Sequence, residues 1–437
     1  MKTINNVLLT LLTEIDTVCR ENGLHYFLTG QTALEAYRSG QFETSSKVVD
    51  ILMTLPDIKE LIAVIEAQGK ADRAFESLYN NDHFREFQFR YVATDTLNLS
   101  LHSDLTSEKP GIYIRIRALK VDVHTPLSKA MTLQKKAWRF YYRDYPNTSR
   151  ISGEKKIGKR MSNFWVGHTH DGYRKRMIRG IEKTQKNVSL DDELYIRGLR
   201  RNRPIIFPQG LFAESQEVEL EGHKFFIPKD AELFFEVLYG ENWTERTFKP
   251  SEVTQNRIVD ANFPYAEYFA YLKANGLTTD ISEELAAENK ARAELKPLDK
   301  RLTRNWRIVQ RTGARFNLWK QYVPQKAYIQ ELYENEKWEE LGEVLADYDI
   351  AARKYRKFDL GLCFDEDIFR IYQAWLIYNE NEELAEKMEK VVPEEHWAPI
   401  DVTAWEKESR QDSMPEKEDV PFRAEFAEDE MNVSEED

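Results

Sequence analysis

Residues 26–53 read YFLTGQTALEAYRSGQFETSSKVVDILM, and this stretch decides the fold class that the sequence predicts. Its pattern indicates a short strand over 26–28, a turn around Gly30, a helix from Ala33 and a second strand over 48–53. An amphipathic helix precedes it, with apolar side chains at helical spacing at Leu8, Leu11, Leu12, Ile15, Val18 and Cys19. Helices that alternate with short strands indicate a domain that combines helices with a sheet.

Three later segments also have the apolar and polar alternation of half-buried strands, at 84–92, 97–101 and 111–123. The last of them, GIYIRIRALKVDV, has the clearest pattern. Because successive side chains of a strand point to opposite faces, its residues divide into two sets. One face receives Ile112, Ile114 and Ile116, and the other receives Tyr113, Arg115 and Arg117.

The rest of the chain divides by composition. Residues 127–203 are predicted to form a basic helical insert, and a hairpin with a turn at Glu221-Gly222 is expected before a helix that ends at Gly240. We therefore predict a first domain over 1–250. A helical C-terminal region over 251–400 and an acidic disordered tail over 401–437 complete the prediction.

Charge is distributed unevenly along the chain. The net charge is −13, yet residues 129–203 carry a net +13 and residues 401–437 a net −10. A basic segment suits a phosphorylated substrate, nucleic acid or an anionic membrane face, and a solvated helix surface is an equally good explanation. No apolar run approaches the roughly 20 residues of a membrane span. Two cysteines argue against a disulfide framework, so we expect a cytoplasmic protein, with peripheral attachment at the inner membrane face as an alternative.

Two separated segments match motifs of one family. Residues 28–53 are similar to the pattern aliphatic-S/T-G-G-T-L-L-G-A-x-R-x-G-x-F-I-P-W-D-D-D-x-D-I-x-M. Residues 217–240, EVELEGHKFFIPKDAELFFEVLYG, are similar to F-E-G-x-x-x-x-x-P-x-x-x-E-x-x-L-x-x-x-Y-G-D. Together they resemble the LicD family, the bacterial phosphocholine transferases related to fukutin, over roughly residues 1–250. The shared residues are Gly30, Thr32, Ala36, Arg38, Gly40, Phe42, Asp50, Ile51, Met53, Glu221, Gly222, Pro228, Leu238, Tyr239 and Gly240.

The resemblance implies an α+β fold with a nucleotidyltransferase-like mixed sheet and helices. It also implies a transferase of cell-surface glycan modification, acting on teichoic acid, capsule or lipopolysaccharide. The donor would be a CDP-linked alcohol such as CDP-choline, the acceptor a glycan and the cofactor Mg²⁺, with a glycan-assembly protein as a further partner. Asp50 would be the catalytic and metal-binding residue. The substrate-binding residues implied by the matched motifs are Gly30, Gln31, Thr32, Arg38, Arg115 and Arg117.

The sequence departs from the family pattern at the acidic positions. Val48 stands at the first acidic position of the strand, which leaves Asp50 alone, and Arg115 and Lys120 replace acids of a second strand. Two acids at i and i+2 of a strand reach one metal ion together, whereas a single acid does not form such a site. An arginine there can pair with a phosphate directly. Two hypotheses stay open: a transferase with weakened or lost catalysis, and a non-catalytic pseudoenzyme that binds a nucleotide or phosphoglycan or supports a glycan-assembly partner. Nucleic-acid binding has only the basic charge in its favour.

Overall fold

The computed structural model describes residues 2–42, 49–82, 84, 86–100, 109–121, 125–141, 161, 164–185, 187–197, 204–247, 257–274, 298–358 and 360–389. Val48, the predicted domain boundary near residue 250 and the predicted disordered tail lie outside these residues. The predicted α+β class is confirmed, because a mixed five-stranded sheet with helices precedes a helical C-terminal region.

The first helix, α1 (Ile4–Asn22), forms as its sequence predicts. Thr3 caps it by accepting a hydrogen bond from the Asn6 backbone N–H, and Gly23 ends it with a left-handed φ of 65°. The predicted apolar stripe is buried, together with Val7. This stripe packs α1 against the central sheet.

The opening stretch forms β1 (Tyr26–Thr29), α2 (Gly30–Arg38) and β2 (Val49–Met53), followed by α3 (Leu55–Gln68). The helix begins at Gly30, three residues before the predicted start at Ala33. Gly30 has a φ of 65°, which glycine adopts without the steric cost that a Cβ brings. The strand therefore turns directly into the helix without a separate loop.

The central sheet has the strand order β1-β2-β6-β4-β3, with β3 at Arg73–Glu76, β4 at Phe89–Ala93 and β6 at Ile112–Ala118. Only β2 and β6 pair in parallel, and the other neighbours in this sheet are antiparallel. The face that carries Ile112, Ile114 and Ile116 packs against α1 and α3.

The predicted strands over 84–92 and 111–123 are longer than the observed ones. Residues before Phe89 are not part of β4, whose ladder with β6 begins at the pair Phe89 and Ile116 and whose ladder with β3 covers only Arg90 to Ala93. After Ala118 the chain makes only an isolated bridge between Lys120 and Tyr195. Strand β5 is observed at Leu97–Ser100, and Leu101 lies outside the described residues.

The basic segment 127–203 is not wholly helical, contrary to the prediction. It contains α4 (Pro126–Tyr141) and α5 (His170–Gln185), but also strand β7 (Leu194–Arg197). This strand pairs with β8 (Pro204–Phe207) and buries Leu194, Tyr195 and Ile196 in succession. Four residues are too few for an alternating pattern to distinguish a strand from a helix.

The predicted hairpin and the helix after it are confirmed. Strands β9 (Ser215–Leu220) and β10 (His223–Pro228) flank Glu221 and Gly222, whose φ angles of 50° and 78° fit a tight hairpin turn. Asp230 caps α6 (Ala231–Tyr239), and Gly240 ends it with a φ of 87°. A 3-10 helix follows at Glu241–Glu245.

Residues from 257 onwards are mainly helical. Strand β11 (Arg257–Asp260) pairs with β5, and α7 (Tyr265–Ala274) follows it. The later helices are α8 (Leu298–Tyr322), α9 (Lys326–Glu334), α10 (Trp338–Val344), α11 (Ala346–Arg356), α12 (Glu366–Tyr378) and α13 (Glu382–Glu389). The predicted cap of α12 is confirmed, since Asp365 Oδ1 accepts a hydrogen bond from the Ile368 N–H at 3.1 Å.

The chain forms two compact units, one of residues 1–321 and 347–364 and one of residues 322–346 and 365–437. The described helices of the second unit are α9, α10, α12 and α13. Within the described residues, no helix has the length and apolarity that crossing a membrane requires.

Candidate functional site

Asp50 and Arg115 form an ion pair in the middle of the central sheet. They are register partners on the parallel strands β2 and β6, so their side chains emerge side by side. Arg115 Nε donates to Asp50 Oδ1, and Arg115 Nη2 donates to Asp50 Oδ2. Each side chain is only 16% exposed. The guanidinium thus engages both oxygens of the carboxylate in the bidentate geometry that is strongest for this pair.

Electrostatics hold Arg115 in its charged form. Burial by itself lowers the pKa of an arginine, but the charge of Asp50 and the hydrogen bonds to it outweigh burial and raise the pKa of Arg115 above its usual value. The arginine is therefore a permanent cation at the position where the family pattern has an acid.

The charged row continues across the sheet to two residues that the sequence analysis did not identify. Arg90 on β4 is the register partner of Arg115, and Glu76 on β3 is the partner of Arg90. Arg90 Nη1 lies 3.6 Å from Glu76 Oε2, and the Arg90 guanidinium lies 4.6 Å from the centre of the Tyr113 ring. The alternation of residues 84–92 could have placed Arg90 on the polar face of its strand. It could not have identified Glu76 and Tyr113 as the neighbours of Arg90.

Arg117 follows Arg115 by two residues and therefore shares its face of β6. Burial lowers the pKa of Arg117, and the nearby cations Arg115 and Arg139 lower it further, while Asp50 opposes them. Arg139, on α4, lies 3.4 Å from Glu86 Oε2. Two cations, Arg115 and Arg139, and one carboxylate, Asp50, thus act on the charge of Arg117.

The Gly30 turn lies beside the Asp50 carboxylate. Thr29, at the end of β1, is the register partner of Asp50, and a Cβ added at Gly30 would lie 3.6 Å from Asp50 Oδ2. The Thr29 side chain accepts no hydrogen bond from the first turn of α2. The amino end of α2, with its partial positive charge, therefore sits next to the ion pair.

Gln31 and Thr32 occupy the first turn of α2. Gln31 Nε2 donates to Glu35 Oε1 at 2.6 Å, and Thr32 is buried.

Burial raises the pKa of Tyr239; Arg246 opposes this, whereas Asp50 and Glu35 add to it. Tyr239 thus lies within electrostatic range of the pair, a closeness that its distance in sequence did not reveal.

Arg38 is engaged with backbone carbonyls. Its Nη1 donates to the carbonyl of Arg246 at 2.7 Å, and its Nη2 donates to those of Trp243 and Thr244. These bonds fasten the chain that follows Gly240 to the end of α2. The substrate-binding role that the resemblance implies for Arg38 stays a prediction. In the structure, Arg38 has a bracing role, because it holds residues 243–246 against the end of α2.

The two segments that carry the family resemblance meet in space. The Glu221 N–H donates to the carbonyl of Gly40, and the Phe42 N–H donates to Glu221 Oε1, both at 2.8 Å. A Cβ at Gly40 would lie 3.6 Å from the Glu219 carbonyl oxygen. The Arg38 and Gly40 region and the hairpin turn therefore form one folded element.

The described residues do not fit a Mg²⁺ site. Mg²⁺ takes oxygen ligands in octahedral geometry, usually from one or two carboxylates with substrate phosphates and water. Both oxygens of Asp50 are already bound by Arg115. Across the described ranges, no three His, Cys, Asp or Glu side chains come together as a possible metal site. The first acidic position of the family pattern, Val48, falls outside these ranges.

No protein-family model matches the chain, and no curated protein is significantly similar to it. The resemblance of residues 28–53 and 217–240 therefore stays a prediction, which rests on the matched residues, their order and their spacing. The geometry of the ion pair and its neighbours does not depend on that resemblance.

Proposed function

We propose that this chain is a LicD-like protein of cell-surface glycan modification whose site binds a phosphorylated ligand without metal-dependent phosphoryl transfer. The ligand class is a nucleotide diphosphate-linked alcohol, such as CDP-choline, or a phosphoglycan. In this proposal the chain is a pseudoenzyme that retains the binding half of a transferase site.

One observation carries the proposal, the bidentate pair of Asp50 and Arg115. The guanidinium takes one lone pair of each Asp50 oxygen, and its permanent positive charge beside the carboxylate disfavours a second cation such as a metal ion. Releasing it would leave a half-buried arginine unpaired next to Arg90 and Arg117, which is costly. The proposal therefore assigns Asp50 to orienting Arg115.

Phosphate binding is supported by the charges on the same sheet face. Arg115 and Arg117 face the same side of β6, and Arg139 lowers the pKa of Arg117 by charge repulsion. An anion would relieve this repulsion, and a guanidinium matches phosphate oxygens in geometry. The uncapped start of α2 at Gly30 adds partial positive charge beside the pair.

The assignment to glycan modification rests on the family resemblance. The contacts of Glu221 with Gly40 and Phe42 support it, because they join the two matched segments in one structural unit. A chance match of two separated motifs would not require them to contact each other.

The test uses the purified full chain with CDP-choline, CDP, CMP and phosphocholine. Release of CMP is followed with Mg²⁺ present, and the melting temperature is followed with Mg²⁺ and with a chelator. We expect no CMP release above the protein-free rate and the same rise in melting temperature under both conditions. A ligand at one hundred times its Kd stabilises by about 2.7 kcal/mol, which a melting curve detects.

The informative variant is Arg117→Met, which removes a cation from the site and leaves the Asp50 and Arg115 pair in place. Arg353→Met, in the helical region, removes a cation that pairs with Asp349 and serves as the matched control. Loss of the ligand-induced shift only in Arg117→Met supports the site. CMP release that disappears in Asp50→Ala would show catalysis and overturn the non-catalytic proposal, and the lack of any shift would overturn binding.

A further inference from the structure

A stripe of exposed side chains runs along residues 161–183. The chain here is helical over 164–167 and again in α5, and the turn between them keeps helical hydrogen bonds. The buried residues Val166, Tyr173, Met177 and Ile181 face the protein. The opposite side presents, at helical spacing, Met161, Phe164, Trp165, His168, Lys175, Arg176, Arg179 and Lys183. We call this set the 161–183 stripe.

One end of the stripe is apolar. Met161, Phe164 and Trp165 are 56%, 61% and 62% exposed. Residues of this size are seldom left so exposed next to one another without a function. The Phe164 and Trp165 rings meet edge to face at 88°. They therefore form no parallel platform of the kind on which nucleic-acid bases stack.

The other end of the stripe is cationic. Lys175, Arg176, Arg179 and Lys183 are exposed, and none of them forms an ion pair with another residue in the described part of the chain. The surrounding segment 129–203 carries a net +13 in a protein whose net charge is −13. The exposed cations thus share one helical face with the large apolar side chains and lie toward its opposite end.

Large apolar side chains beside a row of lysine and arginine match one environment, the headgroup region of an anionic bilayer. Tryptophan and phenylalanine insert at the boundary of headgroups and acyl chains, and each cation is attracted to the negative surface. We propose that the 161–183 stripe docks the protein on an anionic lipid bilayer. This inference does not depend on the proposed function of the Asp50 site.

The test is co-sedimentation of the full chain with lipid vesicles. Vesicles of phosphatidylcholine with phosphatidylglycerol are compared with vesicles of phosphatidylcholine alone, at low and at high salt. We expect binding to the anionic vesicles, weakened by salt, and little binding to the neutral ones. The attraction of one surface cation corresponds to about a fivefold change in affinity. The double variant Lys175→Glu/Arg179→Glu is therefore expected to bind at least about 25-fold more weakly.

The apolar end is tested separately with Phe164→Ser/Trp165→Ser. Its matched control is Ile377→Ser/Tyr378→Ser, which changes two side chains of similar exposure, 51% and 57%, in the helical region. We expect only the first double variant to lose vesicle binding. Quenching of tryptophan fluorescence by brominated lipid adds a second readout, which Trp165→Phe is expected to diminish.

Lys337→Glu/Lys387→Glu changes two exposed lysines elsewhere and controls for net charge. An equal loss of binding in this control would show general electrostatics and overturn the proposal, as would vesicle binding that Phe164→Ser/Trp165→Ser leaves unchanged. Charge reversal that weakens binding to a single-stranded oligonucleotide but not to vesicles would assign the stripe to nucleic acid and also overturn it. The variants change exposed side chains, and circular dichroism verifies that they fold.

Discussion

Removing one member of the Asp50 and Arg115 pair is expected to destabilise the sheet, and the two single variants are expected to differ. Asp50→Asn leaves Arg115 beside the cations Arg90 and Arg117. Arg115→Met instead removes a repulsion with Arg90, and it leaves Asp50 close to Arg117. We therefore expect Asp50→Asn to be the more destabilising of the two.

The magnitude follows from the burial of the pair. Removing one partner of a buried ion pair costs about 3–5 kcal/mol. Since each side chain is 16% exposed, the lower end applies, and we expect about 3 kcal/mol for Asp50→Asn. The double variant Asp50→Asn/Arg115→Met should cost less than the sum of the single variants, with a coupling energy of roughly 2 kcal/mol.

The assay measures urea unfolding of the unmodified protein, the two single variants and the double variant. Unfolding is monitored by amide hydrogen exchange in peptides from β2 and β6, so that the unit containing the sheet is observed by itself. Asp349 and Arg353, whose side chains are 20% and 41% exposed, pair one helical turn apart and provide a control cycle, for which about 0.3–0.5 kcal/mol is expected. Additive effects at the Asp50 pair, or a greater cost for Arg115→Met than for Asp50→Asn, would refute the reasoning.

Three further changes test other parts of the fold. Arg38→Ala removes three hydrogen bonds to carbonyls, so hydrogen exchange over 241–247 should accelerate and stability should fall by about 2 kcal/mol; unchanged exchange would contradict the bracing role. Gly342→Ala should destabilise, although alanine favours helices, because the added Cβ would lie 2.9 Å from Trp375 Nε1; a higher melting temperature would contradict this. Burial raises the pKa of Glu14, but its hydrogen bonds and cationic neighbours lower it below the ordinary 4.5. Its stabilisation is therefore present above that pH and is lost as the pH falls through the lower folded value. Glu14→Gln should flatten the acid loss of stability in urea titrations, and an unchanged acid profile would contradict this.

Sequence periodicity predicted the elements whose pattern is long or strongly punctuated. Helix α1 combines a seven-residue apolar stripe with Thr3 and Gly23 at its ends, and the hairpin has its turn at Glu221-Gly222. The alternation of apolar and polar residues alone did not reveal where a strand ends, because the end depends on where the neighbouring strands stop providing hydrogen-bond partners. Residues 119–123 alternate as well as 112–118 do, yet the ladder ends at Ala118.

The site was predictable only in part. The family pattern identified Asp50 and Arg115 as positions of interest, and strand parity placed Arg117 with Arg115. The neighbours Arg90 and Glu76 depend on the strand order β6-β4-β3, which a single sequence does not specify. Contacts with high sequence separation, such as that of Arg38 with residues 243–246, are likewise not encoded in any local pattern.

The central claim, that the Asp50 carboxylate is held by Arg115 and not by a metal ion, is tested most directly by a crystal structure of the protein with CDP-choline and Mn²⁺. The account predicts that Asp50 stays bound to Arg115, that phosphate oxygens lie near Arg115 and Arg117, and that no anomalous peak lies beside Asp50. A Mn²⁺ peak about 2.1 Å from an Asp50 oxygen, the bonding distance typical of Mg²⁺, would contradict it.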